Sequence, residues 1–135
     1  MEISPLKFQF ELTPEDLRSI RDAIRRWGKP TDCVEGFNGA ELYRHFERWQ
    51  QFVDTNWADW DISEYGHDVG CRYWIQVAIE HSCPATRLVL EQQVEPIDTE
   101  FRAHMKAAKR PDVLDCVPLS KRPYFWETHT IHPEL

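Results

Sequence analysis

The sequence predicts a single, mainly α-helical domain spanning residues 1–135, built from four to five helices with a short β-ribbon from its two ends. Three observations carry this prediction. The first is the stretch from Ser82 to Arg110, where Leu90, Val94, Ile97, Phe101, Met105 and Ala108 recur at steps of three or four residues. That spacing keeps side chains on one face of an α-helix. Asp98 and Glu100 precede Lys106, Lys109 and Arg110 along it, an order that complements the helix macrodipole. The rest of the chain is expected to pack against this ridge. The second observation is a pair of helix start signals, at Thr13 and Asn38. The third is composition: 135 residues, 41% hydrophobic and 13% aromatic, supply enough apolar surface for one core without a staple.

Taken in order, Leu6, Phe8, Phe10 and Leu12 alternate with polar residues, the period-two pattern of a half-buried strand. Thr13 then reads as an N-cap, with Pro14 at the first helical position and Asp16 three residues after the cap. Leu17, Ile20, Ile24 and Trp27 form the apolar stripe of this helix, and Gly28 followed by Pro30 ends it. Residues 28–37 read as a loop. The next helix starts at Asn38, with Glu41 completing the signal and Phe37 placed to staple onto Leu42. Leu42, Phe46, Trp49 and Val53 make its stripe, and it ends between Asp54 and Trp57.

The run from Cys71 to His81 is apolar nearly all round, and there a buried helix and a buried strand look alike. One assignment makes 72–81 and 87–94 a β-hairpin, giving an α+β fold with a small antiparallel sheet. The other makes 69–81 and 84–109 consecutive helices, the second started by Pro84. Pro96 then requires a kink or a fresh helix start, because proline inside a straight helix costs about 3 kcal/mol. The apolar register continues through Pro96 without a slip, which favours the helices. After Pro111 the prolines at 118, 123 and 133 exclude a long regular element. Val113, Leu114, Val117 and Leu119 suit an extended arm across the helices. Tyr124–Ile131 alternates and is the natural partner of the N-terminal strand.

The segment PATRLVLEQQVEPIDTEFRAHM resembles a stretch of small uncharacterised bacterial proteins that set a Pro-Leu-Asp or Pro-Ile-Asp tripeptide after an amphipathic helix. Those proteins also carry a tryptophan-bearing tail after a proline-rich linker, as PYFW does here. The resemblance spans about a third of the chain. It implies a helix through this segment and no activity.

The formal net charge is −7, and residues 51–100 hold ten acidic side chains against Arg72 and Arg87. A nucleic-acid binder shows a basic stripe instead, so nucleic acid is not an expected partner. No apolar segment is long enough to span a bilayer, and the first residues do not form a secretory signal. Cys33, Cys71, Cys83 and Cys116 lack a CxxC pair and read as reduced, mostly buried thiols of a cytoplasmic protein.

Several clusters invite a chemical reading. His129 and His132 are spaced H-x-x-H downstream of Cys116, and His81 and Cys83 are spaced H-x-C. Structural zinc sites want two close ligand pairs, and ordinary buried thiols and satisfied histidines explain these residues as well. Asp61, Glu64 and His67, with His45 facing them from the second helix, could do general acid–base work, yet their spacing sets no geometry. Their run lacks the third ligand and the glycine of an EF-hand. Cys33 is a candidate nucleophile without a fixed histidine. Arg18, Arg21, Arg25, Arg26, Arg44 and Arg48 could gather an anion, or pair with acids on a solvated face.

The run from Asp54 to Asp68 stands out. Trp57, Trp60 and Tyr65 interleave there with Asp54, Asp59, Asp61, Glu64 and Asp68. Aromatics anchor interfaces, and surrounding negative charge steers a basic partner. The same tryptophans could instead cap the core while the acids face water. The reading this supports is a non-enzymatic protein-binding module for a basic protein, of the toxin-neutralising immunity type, with no cofactor and no metal. The alternative is a small metal-dependent enzyme or metal-binding protein using His67 or the pair His129/His132. Oligomeric state is not encoded in any of these features.

Overall fold

The computed structural model describes residues 8–54, 70–107 and 129–131, and within them the chain is mainly helical. Five helices follow one another among the described residues: α1 (Pro14–Arg26), α2 (Thr31–Gly36), α3 (Gly39–Asp54), α4 (Gly70–His81) and α5 (Pro84–His104). Two three-residue strands complete the order, β1 (Met105–Ala107) and β2 (His129–Ile131). They pair antiparallel with Met105 opposite Ile131.

The start of α1 forms as its sequence directs. The Thr13 hydroxyl accepts from the Asp16 N–H at 3.0 Å, and the Asp16 carboxylate accepts from the Thr13 N–H at 3.0 Å. This reciprocal pair satisfies two of the amides that a helix start leaves open. The end of α1 is equally local. Gly28 takes φ of 91°, a left-handed conformation that costs glycine nothing. Its N–H donates to the Arg25 carbonyl, and the Lys29 N–H donates to the Ile24 carbonyl, which closes the helix as a Schellman turn. Trp27, the C-cap residue just before this turn, still has helical backbone. It is 42% exposed, whereas Ile20 and Ile24 are fully buried.

Residues 31–36, expected as loop, form the short helix α2. It follows Pro30 and is pinned by Val34, which is buried, rather than by a cap or a repeating stripe. Arg21 on α1 holds its far end, donating from Nε and Nη2 to the Phe37 carbonyl at 3.0 and 2.6 Å. α3 begins as expected, the Asn38 side chain accepting from the Glu41 N–H at 2.9 Å. Leu42, Phe46, Trp49 and Val53 are all fully buried along it.

The ambiguous stretch is helical in both halves, so the hairpin over 72–81 and 87–94 is excluded. The organising element is α4 rather than the ridge that follows it, because α4 packs against α1, α3 and α5. This explains why its sequence is apolar nearly all round. α5 carries Pro96 inside it, and Leu90, Val94, Ile97 and Phe101 on its stripe are buried. It stops at His104, short of the expected 109, and the chain turns into β1.

Two buried carboxylates join the helices. Asp98 on α5 takes a bidentate ion pair from Arg72 on α4, at 3.0 Å from Nε and 2.9 Å from Nη2. The indole N–H of Trp49 on α3 donates to the same carboxylate at 2.9 Å. Asp16, besides capping α1, accepts from the Cys83 N–H at 2.8 Å and the Thr86 hydroxyl at 2.7 Å at the start of α5. Of the ribbon expected between the two ends, residues 6–7 and 124–128 lie outside the described residues. Residues 8–12 carry no ladder among the described residues, and β2 pairs with β1.

Candidate functional site

Most of the residues singled out for function fall outside the described residues. Trp57, Asp59, Trp60, Asp61, Glu64, Tyr65, His67 and Asp68 are among them, as are Cys116 and His132. Asp54 is described: it is the last residue of α3, exposed, and accepts from the Gln50 side chain at 2.9 Å. His129 lies in β2. Among the described residues no group of three or more His, Cys, Asp or Glu side chains is placed to hold a metal.

Three of the six arginines singled out have ordinary partners. Arg25 pairs with Asp22 at 2.8 Å and Arg44 with Glu41 at 2.6 Å, both on exposed helix faces, and Arg21 serves the Phe37 carbonyl. Cys33, Cys71 and Cys83 are free thiols, but only Cys71 is buried, contrary to the expectation that most would be. Cys83 is held by the start of α5, its sulfur 3.2 Å from the Thr86 hydroxyl.

What the fold does assemble is a cavity of about 330 Å³ between α2, α3 and α4. Asp32, Cys33 and Gly36 come from α2, Phe37 from the turn that follows, Glu41 and His45 from α3, and Trp74 from α4. Trp74 is the centre of an aromatic shelf. The His45 ring lies nearly parallel to it, 5.2 Å away at 4°, and the Phe37 ring lies 6.1 Å away at 12°. Trp27 meets it edge-on at 5.2 Å. The Lys29 ammonium sits 4.4 Å from the Trp27 ring centre and 5.8 Å from that of Trp74, within the range of a cation–π contact.

The electrostatics of His45 follow from this placement. Its Nδ1 is buried and has no hydrogen-bond partner among the described residues. Burial, and after it the charge of Arg48, lowers its pKa from the ordinary 6.5 to about 4. The ring is therefore neutral at physiological pH. Asp32 is exposed at the rim and has no ion-pair partner among the described residues.

Cys33 and His45 line the same cavity, so the nucleophile candidate and a histidine do share a site. No hydrogen bond joins them among the described residues. What the cavity offers is a stack of aromatic rings with the carboxylates of Asp32 and Glu41 beside it. Sequence reasoning named Cys33 and His45 but did not place them together. The legible signal was the i, i+4 spacing of Glu41 and His45 on one face of α3. That Trp74 and Trp27 join them is a long-range consequence of packing. Comparison with known protein families, characterised proteins and solved structures finds no match to this chain.

Proposed function

We propose that this protein is a non-enzymatic protein-binding module that turns an acidic, aromatic surface toward a basic partner, in the manner of a toxin-neutralising immunity protein. The observation that carries the reading is the cavity lined by the stacked rings of Phe37, His45 and Trp74 beside Asp32 and Glu41. Aromatic anchors next to carboxylates are the composition of a site for cationic side chains. The acidic, aromatic run 54–68 joins α3 to α4, and α4 carries Trp74 on its second turn, so both features belong to neighbouring parts of the chain. A net charge of −7 adds long-range attraction for a basic protein. The free thiols of Cys33, Cys71 and Cys83 are compatible with a reducing cytoplasm.

The test begins with tagged protein recovered gently from its own host and weighed by native mass spectrometry. A stoichiometric basic protein is expected. Charge reversal of Asp59, Asp61 and Glu64 together then weakens that complex roughly tenfold or more while leaving the helical circular dichroism unchanged. An affinity unaffected by the reversal, or a partner that is acidic, overturns the reading.

A further inference from the structure

We infer that residues 8–12 are an open backbone edge that takes up an extended segment of a basic protein, one whose apolar side chains alternate with lysine or arginine. The inference rests on the binding-module reading for the existence of such a partner, and on this edge and its groove alone for how the partner is held.

The segment has the form of a strand without a neighbour. Burial alternates along it: Phe8 is buried, Phe10 and Leu12 are half-buried, and Gln9 and Glu11 between them are exposed. That period of two is the mark of extended chain lying on a core. Phe8 and Phe10 fix its inner face by packing on Tyr43 and Phe46. Thr13, where it ends, has extended backbone at φ −74° and ψ 163°. The Gln9 N–H donates to the Gln93 side chain on α5 at 3.2 Å, but the backbones of Phe10, Glu11 and Leu12 make no hydrogen bond among the described residues. Unpaired N–H and C=O groups along an extended chain are a template for another strand.

The side chains of such a strand have a place to go. Residues 8–12 border a groove of about 1260 Å³ between α3 and the first turns of α5. Ala40 and Tyr43 on α3 and Ala85 and Val89 on α5 add apolar surface there to Phe10 and Leu12. The groove is larger than the roughly 300–1,000 Å³ of a site that encloses a small molecule. Its charge is one-sided. Arg44 is paired with Glu41, whereas Glu11 and Glu47, both exposed on the groove, have no ion pair among the described residues. Two free carboxylates select a basic segment. They disfavour a second copy of this chain, which would bring the same carboxylates and a net charge of −7. A helix satisfies its backbone internally and would leave the edge unpaired.

The experiment is a titration of the full chain, labelled with nitrogen-15, with capped seven-residue peptides. In the first, lysine and valine alternate. In the second, proline replaces the central valine, which removes one N–H. In the third, glutamate replaces every lysine. The first is expected to bind with a dissociation constant of about 0.1–1 mM. It should also slow hydrogen exchange at the amides of Phe10, Glu11 or Leu12, the signature of ladder formation. The proline peptide is expected to bind about tenfold more weakly, and the glutamate peptide not measurably. Glu11→Lys with Glu47→Lys, both at exposed positions, weakens the first peptide about tenfold and leaves the helical circular dichroism unchanged.

No binding of the first peptide at millimolar concentration, or equal binding of the proline or glutamate peptide, would overturn the inference. Binding that shifts Tyr43 and Val89 without slowing exchange at residues 10–12 would overturn it too. So would slow exchange of these amides in the free monomer, which assigns the edge to this chain itself. Slow exchange that appears only as the protein self-associates would reassign it to a second copy. Failure here is distinct from failure of the functional reading. A basic partner lost on reversing Asp59, Asp61 and Glu64 that leaves exchange at residues 10–12 unchanged removes only this inference. Peptide binding at the edge with no basic partner recovered removes only the other.

Discussion

Asp98 is the residue on which three helices meet. Its carboxylate is 3% exposed and receives the Arg72 guanidinium and the Trp49 indole together. A buried ion pair of this kind gives back little net stability, because desolvation of both charges consumes most of the attraction. Removing one partner is another matter. Asp98→Asn leaves the Arg72 charge without its carboxylate and turns an amide N–H₂ toward a guanidinium donor. It should destabilise the protein by about 3–5 kcal/mol, read as a lower urea midpoint. The double variant Arg72→Met with Asp98→Leu removes both charges. It should recover much of that loss, remaining about 1–3 kcal/mol below the parent because the buried Trp49 indole N–H loses its acceptor. A double variant as unstable as Asp98→Asn would mean that the pair itself, and not the orphaned charge, holds the helices.

At the scale of elements, what was legible in the sequence was whatever is decided within a few residues. The caps at Thr13 and Asn38 are satisfied by side chains three positions away, so their signals needed no knowledge of the rest of the fold. α2 was not legible, since its six residues have no apolar repeat and depend on burial of Val34 against the other helices. Trp27 misled for the opposite reason. Its spacing puts it on the α1 stripe, but it sits at the C-cap, beyond the fully buried Ile20 and Ile24, partly exposed and edge-on to Trp74. The candidate cavity shares this character: Glu41 and His45 were readable as helix neighbours, but their meeting with Trp74 depends on how α3 packs on α4. Pro96 was readable as a cost, and the structure keeps it inside α5 at an exposed position. Pro96→Ala restores an N–H to the helix ladder. It relieves part of a penalty of up to ~3 kcal/mol, against a loss of about 0.4–1 kcal/mol of unfolded-chain restraint. The melting temperature should rise by about 4 °C or more. A fall would show that the proline geometry is what brings Ile97, Asp98 and Phe101 to their partners.

At the scale of the molecule, two groups with depressed pKa values among the described residues contribute to the response to acid. Burial pushes the Asp16 carboxyl up, but hydrogen bonds from the Cys83 amide, the Thr86 hydroxyl and Thr13 outweigh it and lower its pKa from 3.8 to about 2. Its contribution is complete above pH 3.8 and is lost as pH falls toward 2, because the unfolded chain takes the proton first. His45 acts in the same direction at higher pH. Unfolded, it protonates near 6.5; folded, only near 4. Stability is therefore unaffected by His45 above pH 6.5 and declines as pH falls from 6.5 to 4. The group is partly open to solvent, and Asp32, Glu41 and Arg48 around it share the field, so the decline should be on the order of 2 kcal/mol. His45→Phe keeps a ring against Trp74 and removes the titration. Chemical denaturation between pH 7 and pH 4 should then show a flat upper limb in the variant, with the Asp16 limb below pH 4 intact. If the variant kept the parental slope between pH 6.5 and 4, the unpartnered imidazole would not be the origin of the acid response.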